Sequence, residues 1–307
     1  MSGPEKTAAM EVFDRRAVGR HRDRAARRLD QHDFLLREVA ERLADRLDDV
    51  KRRFPLALDL GCHTGQMGRQ LGARGGIETL VRCDLSPGMA GRAGPFAVAA
   101  DEEALPFAEK RFDLVLSCLS LHWVNDLPGA LVQARRSLKP DGLFLAAMLG
   151  GDTLGELRTA FAEAEIAEEG GLSPRVSPFA DVRDAGHLLQ RAGFALPVVD
   201  ADAVTVSYGE PMRLMTDLRA MGESNAVAER RKGFTRRATL GAAQARYRAL
   251  FGDAAGRVPC TFRVLTLTAW APHPSQQKAL APGSARARLA DALGTTEIPA
   301  GEKAKSG

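Results

Sequence analysis

The chain has 307 residues, 45% hydrophobic and 27% charged, a balance that excludes the disordered and fibrous classes. No run reaches the ~18 apolar residues that a membrane-spanning helix needs. The net charge is only +4, but between Arg15 and Arg28 seven arginines stand against one acid, Asp23.

That basic segment comes first in the chain. A transit peptide is Arg-rich and poor in acids, whereas Glu5, Glu11, Asp14 and Asp30 flank this stretch. Two readings stay open: a solvated helix face, or a surface for an acidic protein, RNA or anionic lipid. No aromatics interleave with the arginines, so base stacking, and with it a nucleic-acid partner, is not expected. Phe34, Leu35, Val39, Leu43, Leu47 and Val50 then recur at three- and four-residue spacing and predict an amphipathic helix packed on the main domain. Residues 1–53 form this N-terminal segment.

From Phe54 strand-like and helix-like segments alternate, as a doubly wound sheet requires. The predicted strands are Leu56–Leu60, Glu78–Cys83, Phe96–Ala100, Asp113–Cys118 and Leu143–Met148. A helix over Asp126–Leu138, with Asp126 as N-cap, precedes the fifth, and Lys139-Pro140-Asp141-Gly142 reads as a stop and turn between them. After this core, residues 54–150, the segment 151–273 completes the sheet. It contributes a helix over Ala180–Gly193, strands over Val198–Ser207 and Thr261–Trp270, and between those strands an insertion helical near Met212–Met221 and Leu240–Leu250. Such insertions over the carboxyl edge of a sheet select substrates, and Arg175, Arg219 and Asn225 are the candidate pocket residues. Residues 274–307 read as a tail with a short docking helix over Ala285–Leu293.

The first strand carries Asp59 and runs into Gly61-Cys62-His63-Thr64-Gly65-Gln66-Met67-Gly68, a small-residue turn leading into a helix. The second strand ends in Asp84, placed to accept hydrogen bonds from ribose hydroxyls. Together they indicate an adenosine-containing cofactor. The glycine spacing matches neither the G-x-G-x-x-G dinucleotide fingerprint nor a P-loop. His63 stands where a glycine is usual, with either a negative φ or the left-handed conformation that histidine tolerates. Four dispersed cysteines, Cys62, Cys83, Cys118 and Cys260, fit a reducing, cytoplasmic setting, and neither they nor the six histidines show metal-ligand spacing.

Asp59-x-Gly61, Asp84, Asp101-Glu102, Leu105-Pro106-Phe107, Phe112-Asp113-Leu114-Val115 and Leu138-Lys139-Pro140-Asp141-Gly142 resemble a type-11 S-adenosylmethionine (SAM) methyltransferase domain over Leu56–Leu149. Val12-Phe13-Asp14-Arg15, Leu121-His122-Trp123-Val124-Asn125-Asp126, Gly150-Gly151-Asp152-Thr153-Leu154, Ser173-Pro174-Arg175, Met221-Gly222-Glu223-Ser224-Asn225 and Trp270-Ala271-Pro272-His273 resemble the respiratory complex I assembly-factor 5 family and its bacterial relatives. The carrier-protein methyltransferase of biotin synthesis is a more distant likeness. The implied fold is α/β: a doubly wound, seven-stranded, mostly parallel sheet of the class I SAM methyltransferase type, with an N-terminal helical segment and a helical insertion before the last strand.

The resemblance implies SAM as cofactor. It sets Asp59 near the methionine ammonium, Gly61, His63 and Gly65 in the loop, Asp84 on the ribose and Asp101 near the adenine amino group, with Leu85 and Glu102 flanking the adenine. After the fourth strand, His122 is the candidate base, Trp123 a wall for the methyl group and Asn125 a third candidate; the alternative is that His122 and Trp123 only pack the core. The leading expectation is methyl transfer to a protein or other acceptor linked to complex I. The alternatives are hydroxylation of an arginine in a complex I subunit and a SAM-binding assembly chaperone without turnover. Peripheral membrane association through the basic segment is a further expectation.

Overall fold

The computed structural model describes residues 11–277 and 288–296. By its internal contacts the chain divides into a large unit, residues 1–272, and a small one, residues 273–307.

The large unit opens with helices α1 (Arg15–Ala25) and α2 (Phe34–Asp48) and then alternates strand and helix. The order is β1 (Leu56–Leu60), α3 (Gln66–Leu71), β2 (Thr79–Asp84), α4 (Pro87–Ala90), β3 (Ala97–Ala99), β4 (Phe112–Cys118), α5 (Leu127–Ser137) and β5 (Leu138–Leu149). There follow α6 (Gly155–Glu169), α7 (Val182–Arg191), β6 (Ala195–Tyr208), α8 (Pro211–Met221), α9 (Arg237–Phe251) and β7 (Val258–Trp270). The strands form one seven-stranded sheet in the order β3-β2-β1-β4-β5-β7-β6. β1 to β5 pair in parallel, and β7 inserts antiparallel between β5 and β6. The chain leaves β1 in one direction and returns at β4 in the other, so the crevice beyond their carboxyl ends is the topological switch point where ligands bind in open α/β sheets.

Both faces of the central strands are buried, and the two-residue period sorts their side chains. Leu114, Leu116, Leu143, Leu145 and Ala147 pack with the buried stripe of α2, Leu35, Leu36, Val39, Leu43 and Leu47. Leu58, Leu60, Val115, Phe144 and Ala146 pack on the other side with Ala130, Leu131, Ala185 and Leu189 of α5 and α7. Burial of each such Leu or Phe contributes roughly 1.5–3 kcal/mol relative to exposure. The same alternation sends Asp59 to the α2 side between Leu58 and Leu60.

The expected turn at residues 139–142 lies inside a strand instead. α5 ends at Ser137 and β5 starts at once, with Phe112 paired to Leu138 and Leu114 to Leu143. The surplus residues make a bulge in which Asp141 takes φ 63°. The Pro and Gly that read as a turn mark this irregularity, since bulges accept residues that a regular ladder rejects. The small unit contains α10 (Leu289–Leu293). Residues 285–287 of the expected docking helix, and much of the expected tail, lie outside the described residues. Among the described residues no helix is long and apolar enough to cross a membrane.

Candidate active site

The loop after β1 is a strained turn. Gly61, His63 and Gly65 have φ of 71°, 49° and 89°, so His63 takes the left-handed alternative. A side chain on Gly61 would meet Ser120 Oγ at 2.0 Å, and one on Gly65 the Ala93 carbonyl oxygen at 2.5 Å, so only glycine fits either position. His63 is buried; its backbone N–H donates to Asp84 Oδ2 at 3.0 Å, and its Nε2 donates to the Cys118 carbonyl oxygen at 3.1 Å. Those bonds fix the residue in the conformation a glycine usually takes. Asp59 is buried at the centre, and neither carboxylate oxygen has a hydrogen-bond partner among the described residues. Burial pushes its pKa up to about 7, against the pull of Arg82 on β2.

This shift has a signed consequence. A raised carboxyl pKa favours the protonated fold, so the contribution of Asp59 to stability declines as pH rises from 3.8 to about 7. Asp59→Asn is expected to gain stability on the wild type across that window in chemical denaturation. Parallel curves at pH 5 and pH 8 would contradict the burial argument.

Beyond Asp59 a set of acids closes around arginines from α1. Arg22 is 1% exposed; its guanidinium lies 3.4 Å from Asp84 Oδ2 and 3.2 Å from Glu102 Oε1, and donates to Ser120 Oγ at 2.9 Å. Arg15 donates to Asp101 Oδ1 at 2.6 Å, to Glu102 and to the Trp123 carbonyl oxygen. Burial alone would raise the Glu102 pKa, but Arg22 and Arg15 pull it down to about 2. Asp84 also accepts the N–H of Ser86, and Leu85 packs beneath α1 beside the Phe13–Trp123 pair. The basic segment is thus neither wholly solvated nor wholly a partner surface. Two of its arginines point into the sheet's switch point and occupy the acids there. No sequence signal separates them from their five neighbours except position: with Val18, the buried residues Arg22 and Ala25 lie at helical spacing on the apolar face of α1.

After β4 the chain makes a short 3-10 turn, Leu121–Trp123. The His122 Nε2 and Trp123 Nε1 converge on one oxygen, Glu223 Oε2, at 3.0 and 2.9 Å. Glu223 follows the end of α8 and is half-buried; desolvation raises its pKa, but His122 and Arg22 pull it below the ordinary value. The sequence reading missed Glu223; its only signal was its place in the Gly222-Glu223-Ser224-Asn225 stretch. Asn125 is spent elsewhere: its amide accepts from Phe13 N at 2.8 Å and donates to Phe13 O at 3.0 Å. It pins the strand-like entry to α1, which also bridges Val227.

A cavity of about 510 Å³ opens at this edge, lined by Trp123 and Glu223 and by all three candidate pocket residues, Arg175, Arg219 and Asn225. Leu154, Leu157, Phe161, Met215 and Leu218 supply apolar walls. Arg175 is paired with Glu165, Arg230 with Asp14 and Arg231 with Glu169, so most of the arginine charge at the walls is neutralised from behind. Asn225 bonds the Pro174 carbonyl oxygen and caps Val227 N. All four cysteines are free and buried, and burial raises their pKa, so none is a thiolate nucleophile. Among the described residues no three His, Cys, Asp or Glu side chains are arranged to hold a metal.

A family model described as a methyltransferase domain matches residues 58–146. The chain is 46% identical over 289 residues to "Arginine-hydroxylase NDUFAF5, mitochondrial" of Danio rerio, covering 92% of this chain and 89% of that protein. The Homo sapiens protein of the same name is 43% identical, over 99% of this chain and 90% of its own length. The malonyl-[acyl-carrier protein] O-methyltransferase of Halorhodospira halophila is 38% identical, over 90% and 94%. Among solved structures, a Bacillus halodurans protein of the methyltransferase class superposes with TM-score 0.52 at 15% identity, over 75% of this chain and 99% of that one, a likeness of fold alone. SAM is the cofactor of this domain. With a seven-stranded methyltransferase sheet and relatives this similar over nearly its whole length, the chain belongs to the NDUFAF5 family, the complex I assembly-factor 5 group built on the class I SAM-dependent methyltransferase fold.

Proposed function

We propose that this protein hydroxylates an arginine side chain of a protein substrate, a subunit of respiratory complex I, on a scaffold inherited from methyltransferases. The observation that carries the reading is the half-buried carboxylate of Glu223 in the wall of the cavity, fixed by the N–H groups of His122 and Trp123. An ionised carboxylate against an apolar wall is the partner a guanidinium selects, through paired charge-assisted hydrogen bonds. The names of the relatives support this alternative better than the leading expectation of methyl transfer.

In this reading SAM lies over the β1 and β2 ends. Asp84 takes the ribose hydroxyls and Asp101 the adenine amino group, while Leu85 and Glu102 flank the ring. The turn of Gly61, His63 and Gly65 approaches the cofactor through its backbone, and the unpartnered Asp59 oxygens meet the methionine ammonium. When bound, SAM would supply an electrophilic sulfonium centre; inserting oxygen into an arginine C–H bond would in addition take dioxygen and two electrons from an external reductant, with the second oxygen atom leaving as water. Arg22 holds Asp84 and Glu102 in the described conformation, so cofactor entry displaces its side chain. Asp84→Ala is expected to weaken SAM binding about tenfold to a hundredfold by calorimetry, the worth of hydrogen bonds to a charged acceptor.

Mass spectrometry of complex I subunits from cells with and without the gene tests the reaction. A +16 shift on an arginine that depends on this protein supports hydroxylation. A +14 shift would return methyl transfer to first place, and no dependent shift would favour the chaperone.

A further inference from the structure

A second cavity, of about 280 Å³, lies between α1 and α8, and its lining includes His21, Arg24, Arg28, His32, Arg219 and Ser224. It has the charge pattern of a binding site. Three arginines face it, all exposed, and among the described residues no carboxylate lines it. The Arg24 guanidinium bonds the Arg20 carbonyl oxygen within its own helix, and the guanidiniums of Arg28 and Arg219 have no partner among the described residues. The one acid of the basic stretch, Asp23, is turned away and bonds Ser86 Oγ and the Gly88 N–H instead. The His32 ring is held by Asp217, 2.9 Å from its Nδ1. Burial lowers the pKa of His21, and Arg24, Arg230 and Arg20 lower it further, in keeping with the positive lining.

We propose that this cleft docks an acidic segment of the protein substrate, its Asp or Glu carboxylates held by the Arg24, Arg28 and Arg219 guanidiniums. The inference rests on the reading that the substrate is a protein. It follows from continuity as well as charge: Arg219 and Ser224 line both this cleft and the 510 Å³ cavity that holds Glu223. One extended chain can therefore set a carboxylate in the cleft while a neighbouring side chain enters the cavity. Guanidinium forks suit carboxylates in a concave site. A membrane surface asks for a flat or protruding basic face, and single-stranded RNA for aromatic platforms that this lining lacks.

The test is binding of a fluorescein-labelled hexaglutamate peptide to the full chain by anisotropy at low salt. Arg24→Glu/Arg28→Glu is compared with Arg183→Glu/Arg191→Glu, an equal charge change on α7, and both variants are checked for folding by circular dichroism. The expected result is binding by the wild type and the α7 variant, weakened by added salt, and at least tenfold weaker binding by the α1 variant. No binding by the wild type, or equal loss in both variants, overturns the proposal. So does tighter binding of a hexauridylate RNA or of phosphatidylserine vesicles that depends on the same two arginines. Peptide binding that survives while no arginine is hydroxylated would sink the proposed reaction and leave the docking cleft standing.

Discussion

Replacing Arg22 with alanine is expected to weaken the fold and tighten SAM binding in one step. Arg22 is the shared counter-charge of Asp84 and Glu102, all three being fully or almost fully buried. Removing Arg22 leaves the buried Asp84 without its counter-charge, while Glu102 keeps Arg15; breaking a buried ion pair in this way costs about 3–5 kcal/mol. Asp84 and Glu102 raise the pKa of Arg22 against its burial, so the arginine stays charged and the whole penalty is exposed when it is lost. The double variant Arg22→Ala/Asp84→Asn is expected to recover part of that loss, because the stranded charge is then neutral. The cofactor effect has the opposite sign. A ribose that reaches Asp84 must displace the guanidinium, and a chain without it skips that step, for a gain of about tenfold or more in affinity by calorimetry. Weaker SAM binding in the alanine variant would mean that Arg22 stays in place and contacts the cofactor, and the displacement argument would fail.

The parts of this protein legible in its sequence are those governed by local periodicity. The α2 stripe, the five parallel strands and the two late strands follow from spacing and composition, because burial of one stripe or of both sheet faces leaves a repeating pattern. The bulge at residues 139–142 was misread because turn and bulge use the same residues, and only the partner strand's register separates them. α6 (Gly155–Glu169) passed unnoticed: its residues Leu157, Ala160, Phe161 and Ala164 keep helical spacing, but the glycines before and after it resemble a loop.

The site divides in the same way. Asp59 and Asp84 end or nearly end strands, so their placement at the sheet edge follows from the chain itself. The convergence of Arg175 with Arg219 and Asn225 on one cavity depends on two separate segments folding over the edge. Arg22 and Glu223 escaped notice because their meaning is tertiary. An arginine in a run of arginines looks solvated until its carboxylate partners, 62 and 80 residues away, are known. A glutamate just past a helix looks like surface until His122 and Trp123, 101 and 100 residues away, are found on one of its oxygens.

Glu223 therefore carries the other large expected effect. Glu223→Ala is expected to cut arginine modification by at least a hundredfold, measured as product mass per turnover. The carboxylate has two tasks in the proposed reaction. It accepts the N–H groups of His122 and Trp123, and leaving each buried donor without an acceptor costs about 1–3 kcal/mol. It also offers the charge that an incoming guanidinium needs, and truncating one side of a buried charge pair costs about 2–5 kcal/mol. Glu223→Gln separates the two. The amide keeps an oxygen for one of the N–H donors and nearly the same volume, so thermal stability is expected to stay closer to the wild type than in the alanine variant. The charge is gone, so KM for an arginine peptide is expected to rise as strongly as in the alanine variant. A glutamine variant with unchanged KM and a reduced kcat would show Glu223 to be a positioning residue for His122 and Trp123, and the guanidinium anchor would have to be sought elsewhere in the cavity.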